Sequence, residues 1–292
     1  MFRQALSIAK EARHGVKLIL AQPLPPVKRC QLAVLKLVAI AGYRWGKRFG
    51  FQSNHGKRGA VPARTAFLGE GITKSFSPTT TPSVAVLIPV YAGDLAEVKR
   101  LRSAVARLHQ QTTPPAAIII VNDASPHELS FAEHPVQVVM ETLPTNSGSG
   151  RARNVGFDIA RTLGVDVLCC TDSDCLPAAD WVERMVNAQA RTPGIWYGNT
   201  SSHQPESLTG LFHDITGALN GRLLPDGQVV YGTTCNLSIS LPHVHLDFDP
   251  NFTIASFEDL EWCFSAKQLG IPVNYEPNAA VPCPSPKGNA SK

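Results

Sequence analysis

The chain has 292 residues, 43% of them hydrophobic, enough to bury at least one substantial core. Its formal charge of +4 conceals a division: residues 1–74 hold 14 Lys or Arg against two acids, Glu11 and Glu70, while the remainder holds 13 basic and 21 acidic residues. The basic arm lacks aromatic interleaving or a recognised module, which argues against nucleic acid as a partner, and its most apolar run, "QLAVLKLVAIAGY" at 31–43, is too short and too interrupted by Lys36 to span a bilayer.

The arm offers two helix-compatible stretches, roughly 3–20 and 28–45, separated by "PLPP". A basic, partly helical extension over 1–74 suits an anionic membrane surface; a solvated, partly ordered extension fits the same composition. The start, "MFRQALSIAKEARHGVKLIL", has charges inside every apolar stretch and so lacks the core of a secretory signal. With seven cysteines, an odd number, the expected setting is the reducing cytoplasm, with the arm allowing a peripheral position on the membrane. "SFSPTTTPS" at 75–83 reads as a linker, and residues 84–292 as one domain.

From residue 84 the pattern becomes regular. "VAVLIPVY" (84–91) is a nearly continuous apolar run, as expected of a strand covered on both faces. A helix follows, with Asp94 as cap, Glu97 three residues on, and an apolar stripe of Leu95, Val98, Leu101, Val105 and Leu108. "AAIIIV" (116–121), "VQVVM" (136–140) and "VDVLCC" (165–170) read as further buried strands, with a helix ending at Gly164 between the last two. Strands alternating with helices imply an α/β fold with a mostly parallel central sheet, whose ligands bind at the carboxyl ends of the strands.

The loops at those ends carry the chemistry. Pro89 and Tyr91 can form an apolar shelf for a base. Asp123, in "VNDASP", can accept from a nucleobase or ribose, or it can form an Asx turn ahead of Ser125 and Pro126. "NSGSGRARNVG" (146–156) sets small residues before a helix start, where exposed N–H groups and Arg151 or Arg153 can hold a diphosphate; helix capping with solvated arginines fits it as well. "TDSDC" places Asp172 and Asp174 two residues apart. On an extended backbone they point the same way and can share a hard cation, Mg2+ or Mn2+, or divide ribose and metal between them, with Asp172 then among the nucleotide-sugar-binding residues. A thiolate site finds little support, because no C-x-x-C pair or zinc-like histidine spacing accompanies Cys175, and Cys169 and Cys170 extend the strand. In "SFEDLEWCFSAKQLG" (256–270), Ser256 and Asp259 fit a helix cap, yet Glu258 and Asp259 could equally take a proton from an incoming hydroxyl.

In order, "VAVLIPVY", "IIIVNDAS", "NSGSGRARNVGFDIA", "LCCTDSDCLPAADWVERM", "GTTCNLSIS" and "SFEDLEWCFSAKQLGIPVNYEPNA" resemble the family-2 glycosyltransferases of GT-A fold, a Rossmann-like nucleotide-diphospho-sugar transferase architecture, over about residues 84–281. The resemblance implies inverting transfer of a sugar from a nucleotide-diphosphate donor, a UDP-sugar by preference, to a hydroxyl of a glycan, lipid, peptide or small-molecule acceptor. It implies that Pro89, Tyr91 and Asp123 border the base, and that Arg153 lies near the diphosphate. Asp172 and Asp174 would be the D-x-D pair, with Asp174 the direct metal ligand. Asp259 would be the catalytic base, Glu258 would help to orient the acceptor, and "TTCN" (233–236) would line the acceptor side. The motifs of processive synthases are absent, which points to single addition. Departures stand out at two places. After the second strand, Asn122-Asp123 replaces the usual paired aspartates, with Asp123 retained and Ala124 in place of the following Gly; and Cys283 stands near the place where many relatives carry a metal-binding His. The second departure leaves open a degenerate domain that binds nucleotide-sugar, or a partner, without turnover. A nucleotidyltransferase would need a glycine-rich basic loop after the first strand, and "PVYAGD" is not one.

Overall fold

The computed structural model describes residues 82–224, 227–250 and 258–284, together with the isolated positions Ala21, Pro25 and Ala33. Apart from Ala33, the two helix-compatible stretches of the arm lie outside the described residues, as do most of the 75–83 linker, Ser256 and the tail from residue 285. Among the described residues, no helix is long and apolar enough to cross a membrane.

The chain divides into two compact units, one holding Phe67–Ser201 with Leu219–Pro284, the other including Ser202–Ala218. In chain order the elements are β1 (Val84–Val90), α1 (Leu95–His109), β2 (Ala117–Asn122), β3 (Gln137–Thr142), α2 (Ser149–Thr162), β4 (Val167–Thr171), α3 (Trp181–Arg191) and β5 (Ile195–Ser202). They continue with α4 (Leu208–Thr216), a 3-10 turn at Ala218–Asn220, β6 (Arg222–Leu223), β7 (Val229–Tyr231), β8 (Asn236–Ser240), α5 (Glu258–Gln268) and β9 (Val273–Cys283). In the smaller unit, α4 is capped by Ser207, whose hydroxyl accepts from the Gly210 N–H at 2.9 Å, and stops at left-handed Gly217.

Seven strands form one sheet in the order β3-β2-β1-β4-β8-β5-β9, with β6 and β7 as a separate hairpin. The pairs β3/β2, β2/β1 and β1/β4 are parallel, while β8 runs antiparallel to both β4 and β5. The apolar runs are continuous because both faces of the sheet are covered. Val84, Val86, Ile88 and Val90 pack with α1 and α3 on one face; Ala85 and Leu87 pack with α2 and α5 on the other. Gly156 lets α2 approach closely, since a Cβ there would meet the Leu87 side chain at 2.2 Å.

Three expectations need correction. β3 is a largely exposed edge strand, because only β2 pairs with it among the described residues. Leu95 is 72% exposed: the first turn of α1 is fixed by polar caps, and the buried stripe begins at Val98. Asp94 Oδ1 accepts from the Glu97 N–H at 2.8 Å, and Glu97 reaches back to the Gly93 N–H at 2.7 Å. The D-x-D segment is not extended. The Cys175 N–H donates to the Asp172 carbonyl at 3.1 Å, so Asp172–Cys175 forms a turn that redirects the chain towards β9.

Ala124 has φ +59°, the one left-handed non-glycine among the described residues. That conformation crowds Cβ against the backbone and costs about 1–2 kcal/mol. Ala124→Gly is therefore expected to raise the melting temperature by about 2–4 °C. A thermal unfolding curve tests this, and an unchanged or lower midpoint would contradict it.

Candidate active site

The site forms where the strand order reverses. β1 lies between β2 and β4, so the loops leaving β1, β2 and β4 open at one edge. The pairing of Thr171 with Asn236 then sets the turn entering β8 beside the end of β4. Beyond the D-x-D turn, the Leu176 and Ala178 N–H groups donate to the Pro282 and Ala280 carbonyls at 2.8 and 2.9 Å, which brings the end of β9 to the same place.

Asp123 is buried, with Oδ1 accepting from the Ser147 N–H at 2.7 Å and Oδ2 from the Gly148 N–H at 2.8 Å. Gly148, at φ +88°, can present that N–H because it adopts a backbone that L side chains rarely take. The Asx turn belongs instead to Asn122, whose Oδ1 accepts from the Ser125 N–H at 2.9 Å. Asp123 thus fixes the loop ahead of α2. Pro89 is buried within β1, and Tyr91 is 49% exposed just past its end.

Arg153 is the buried centre of the cluster, while Arg151 is exposed. Arg153 Nη2 donates to Asp172 Oδ1 at 2.8 Å, and Nη1 lies 3.8 Å from Glu258 Oε1, too far for a hydrogen bond. The guanidinium carbon sits 5.8 Å from the centre of the Phe248 ring. Burial pulls the Arg153 pKa down, but the carboxylates of Asp172, Asp259 and Glu258 outweigh it and hold the group above its ordinary value. Its Nε and Nη1 are buried without a hydrogen-bond partner among the described residues. Buried orphan donors on a cation are rare and suit an anionic ligand.

Glu258 and Asp259 open α5. Glu258 is buried and accepts from the Ser149 hydroxyl at 2.8 Å. Asp259 turns to Thr234, accepting from its N–H at 3.1 Å and its hydroxyl at 2.9 Å. It keeps a partly exposed surface, yet surrounding protein displaces most water. That desolvation pushes its pKa up to about 6, with Arg153 and the Thr234 bonds opposing the rise and Glu258 adding to it.

At the D-x-D turn, Asp172 is held by Arg153 with its side chain 40% exposed, and Asp174 Oδ1 lies 3.8 Å from Cys175 Sγ. Cys169 and Cys170 are fully buried on opposite faces of β4, as strand filling. Cys175 and Cys283 form a disulfide, so Cys283 is not free to serve as a metal ligand in this state. In "TTCN", Asn236 is structural: its Oδ1 accepts from the Trp181 indole at 2.8 Å, and its Nδ2 donates to the Asn199 and Ala279 carbonyls.

The structure therefore gathers Asp123, Arg153, Asp172, Glu258 and Asp259 through a continuous set of bonds and charge contacts, with Tyr91, Pro89 and Asp174 on the adjoining strand ends. Ser149, Thr234 and Phe248 are contributors that the sequence did not single out. Ser149 and Thr234 lay inside notable motifs; nothing marked Phe248.

Residues 85–235 match the Glycosyl transferase family 2 model. No curated protein matches in sequence. Among solved structures, GalNAc-T7 with UDP, GalNAc and Mn2+ is similar at TM-score 0.52 and 14% identity, over 70% of this chain and 44% of that one. S. aureus TarS 1-349 is similar at TM-score 0.51 and 16% identity, over 70% of this chain and 61% of that one. The chain thus spans less than two thirds of either structure, and at these identities the likeness is one of fold.

Proposed function

We propose that this chain, which belongs to glycosyl transferase family 2, moves a sugar from a nucleotide-diphosphate donor, a UDP-sugar, to an acceptor hydroxyl with inversion and one addition per encounter. The observation that carries the reading is a carboxylate, Asp259, poised near neutrality beside a buried arginine with orphan donors. A base of this kind is half protonated near pH 6 and can take a hydroxyl proton at physiological pH.

In this reading Arg153 receives the diphosphate on Nε and Nη1, buried atoms whose charge water screens little. Tyr91 and Pro89 support the base, while Asp123 holds the 147–148 loop in position. The acceptor oxygen attacks the anomeric carbon and gives its proton to Asp259 as the bond to the diphosphate oxygen breaks. Glu258, fixed by Ser149, orients the acceptor. Thr234 fixes the orientation of the Asp259 carboxylate by bonding to both of its oxygens. The half-exposed Asp172 and Asp174 are oxygen donors that fit a divalent cation, Mg2+ or Mn2+, with Asp174 the direct ligand. When bound, the cation neutralises the charge that develops on the leaving diphosphate.

The test is a panel of nucleotide sugars with and without Mn2+, following binding and transfer. Asp174→Ala is expected to weaken Mn2+-dependent UDP binding by about tenfold or more while metal-free binding is unchanged. Metal dependence identical to wild type would remove Asp174 from the site. Binding without transfer to any acceptor class would favour the degenerate-domain reading, for which the occupied Cys283 is the supporting observation.

A further inference from the structure

We propose that Cys175, Cys235 and Cys283 form, once the Cys175–Cys283 bond is reduced, a three-sulfur site for a soft divalent cation of the Zn2+ class, distinct from the oxygen donors of the D-x-D turn. The three sulfur atoms lie within 4.8 Å of one another. Around a tetrahedral Zn2+ with bonds of about 2.3 Å, thiolates stand about 3.8 Å apart. The cluster reaches that spacing when the bonded pair separates by about 2 Å, shared between two side chains.

The cysteines come from three segments that the sheet holds in place. Cys175 follows the D-x-D turn and is tied to Asp172 through its N–H. Cys283 closes β9, which pairs with residues 176 and 178. Cys235 precedes Asn236, the partner of Thr171 across β4 and β8. The supporting shell is also suitable: Thr233 and Thr200 place hydroxyl oxygens 3.4 and 3.8 Å from Cys235 Sγ, and such O–H groups can rotate to face a thiolate. Cys175 and Cys283 are nearly fully buried, whereas Cys235 is partly exposed. Sulfur selects soft ions over Mg2+ or Mn2+, so the cluster does not replace the hard-ion donors beside it.

The chemistry balances with an external dithiol as reductant. Two electrons and two protons pass to the Cys175–Cys283 bond, giving two thiols, while the dithiol closes to its own disulfide. Binding the cation then releases up to three thiol protons.

The experiment uses the full chain, reduced with a dithiol and kept anaerobic, freed of reductant and titrated with Co2+. One sulfur-bound Co2+ per chain is expected, read from a sulfur-to-cobalt charge-transfer band that Zn2+ abolishes and that Co2+ on carboxylate oxygens does not give. Cys235→Ser should weaken Co2+ binding at least about 100-fold and lose most of the band. The same variant, left oxidised, should still form the Cys175–Cys283 bond, which shows that it folds. Asp174→Ala should retain the band. No charge-transfer band in the reduced wild type, or an undiminished band in Cys235→Ser, overturns the proposal. The readout is independent of sugar transfer, so its failure and that of the transferase reading are distinguishable.

Discussion

Asp259→Asn should lower the transfer rate by about 10^3 while leaving nucleotide affinity within about threefold. The amide preserves size and can still accept from the Thr234 hydroxyl, but it cannot take a proton. The wild-type rate should rise with pH through an apparent pKa of about 6, because desolvation raises Asp259 to that value and only its ionised form is a base. Stability should move the other way. The folded-state pKa lies above the unfolded value of about 3.9, so the buried charge is a burden. The contribution of Asp259 is fully present below about pH 4 and is lost as pH rises through about 6. Discounted for partial exposure, that loss is about 1–2 kcal/mol. The Asn variant lacks this loss, so at pH 8 its denaturation midpoint should approach or exceed that of wild type. Retention of the wild-type rate would remove Asp259 from the base role.

Arg153→Met should have the second largest effect, and on three readouts together. In the proposed reading the diphosphate loses its buried cation, so nucleotide affinity should fall by about 100-fold. Asp172, Glu258 and Asp259 lose the charge they share, and leaving them unpaired should cost about 3 kcal/mol of stability. The acid limb of the pH–rate profile should also move up from about 6 by about 1–3 units, since Arg153 is the cation that holds Asp259 down. A merely structural arginine would lower stability without moving that limb. An unmoved pKa would therefore separate packing from electrostatic control.

Much of this arrangement was legible because local signals coincide with what the sheet requires. Runs such as Val84–Val90 and Ala117–Asn122 are apolar throughout because helices cover both faces, and the order of elements then sends Asp123, Asp172 and Tyr91 to one edge. What stayed hidden depends on contacts distant in sequence. Thr234 was visible in "TTCN", but only the crossing of α5 and the β8 turn makes it the partner of Asp259. Phe248 lies 95 positions from the arginine it covers. The D-x-D alternation argument failed because the chain turns at Asp172 to meet β9, which no local pattern announces. Linear spacing likewise argued against sulfur chemistry at Cys175, yet the fold bonds it to a residue 108 positions away.

The place of β8 in the sheet bears on how the chain emerges during synthesis. β4 ends at Thr171, but its partner on that side begins only at Asn236, some 65 residues later. Translation at about 5–20 residues per second leaves an interval of about 3–13 s before that partner exists. For that time the nascent chain carries an open strand of Val167, Leu168, Cys169 and Cys170, all of which end fully buried. An unpaired apolar edge is a template for another copy emerging nearby. Elongation through residues 172–240 is thus a stretch in which yield is exposed to aggregation, and slowing it there should favour inclusion bodies over folded protein.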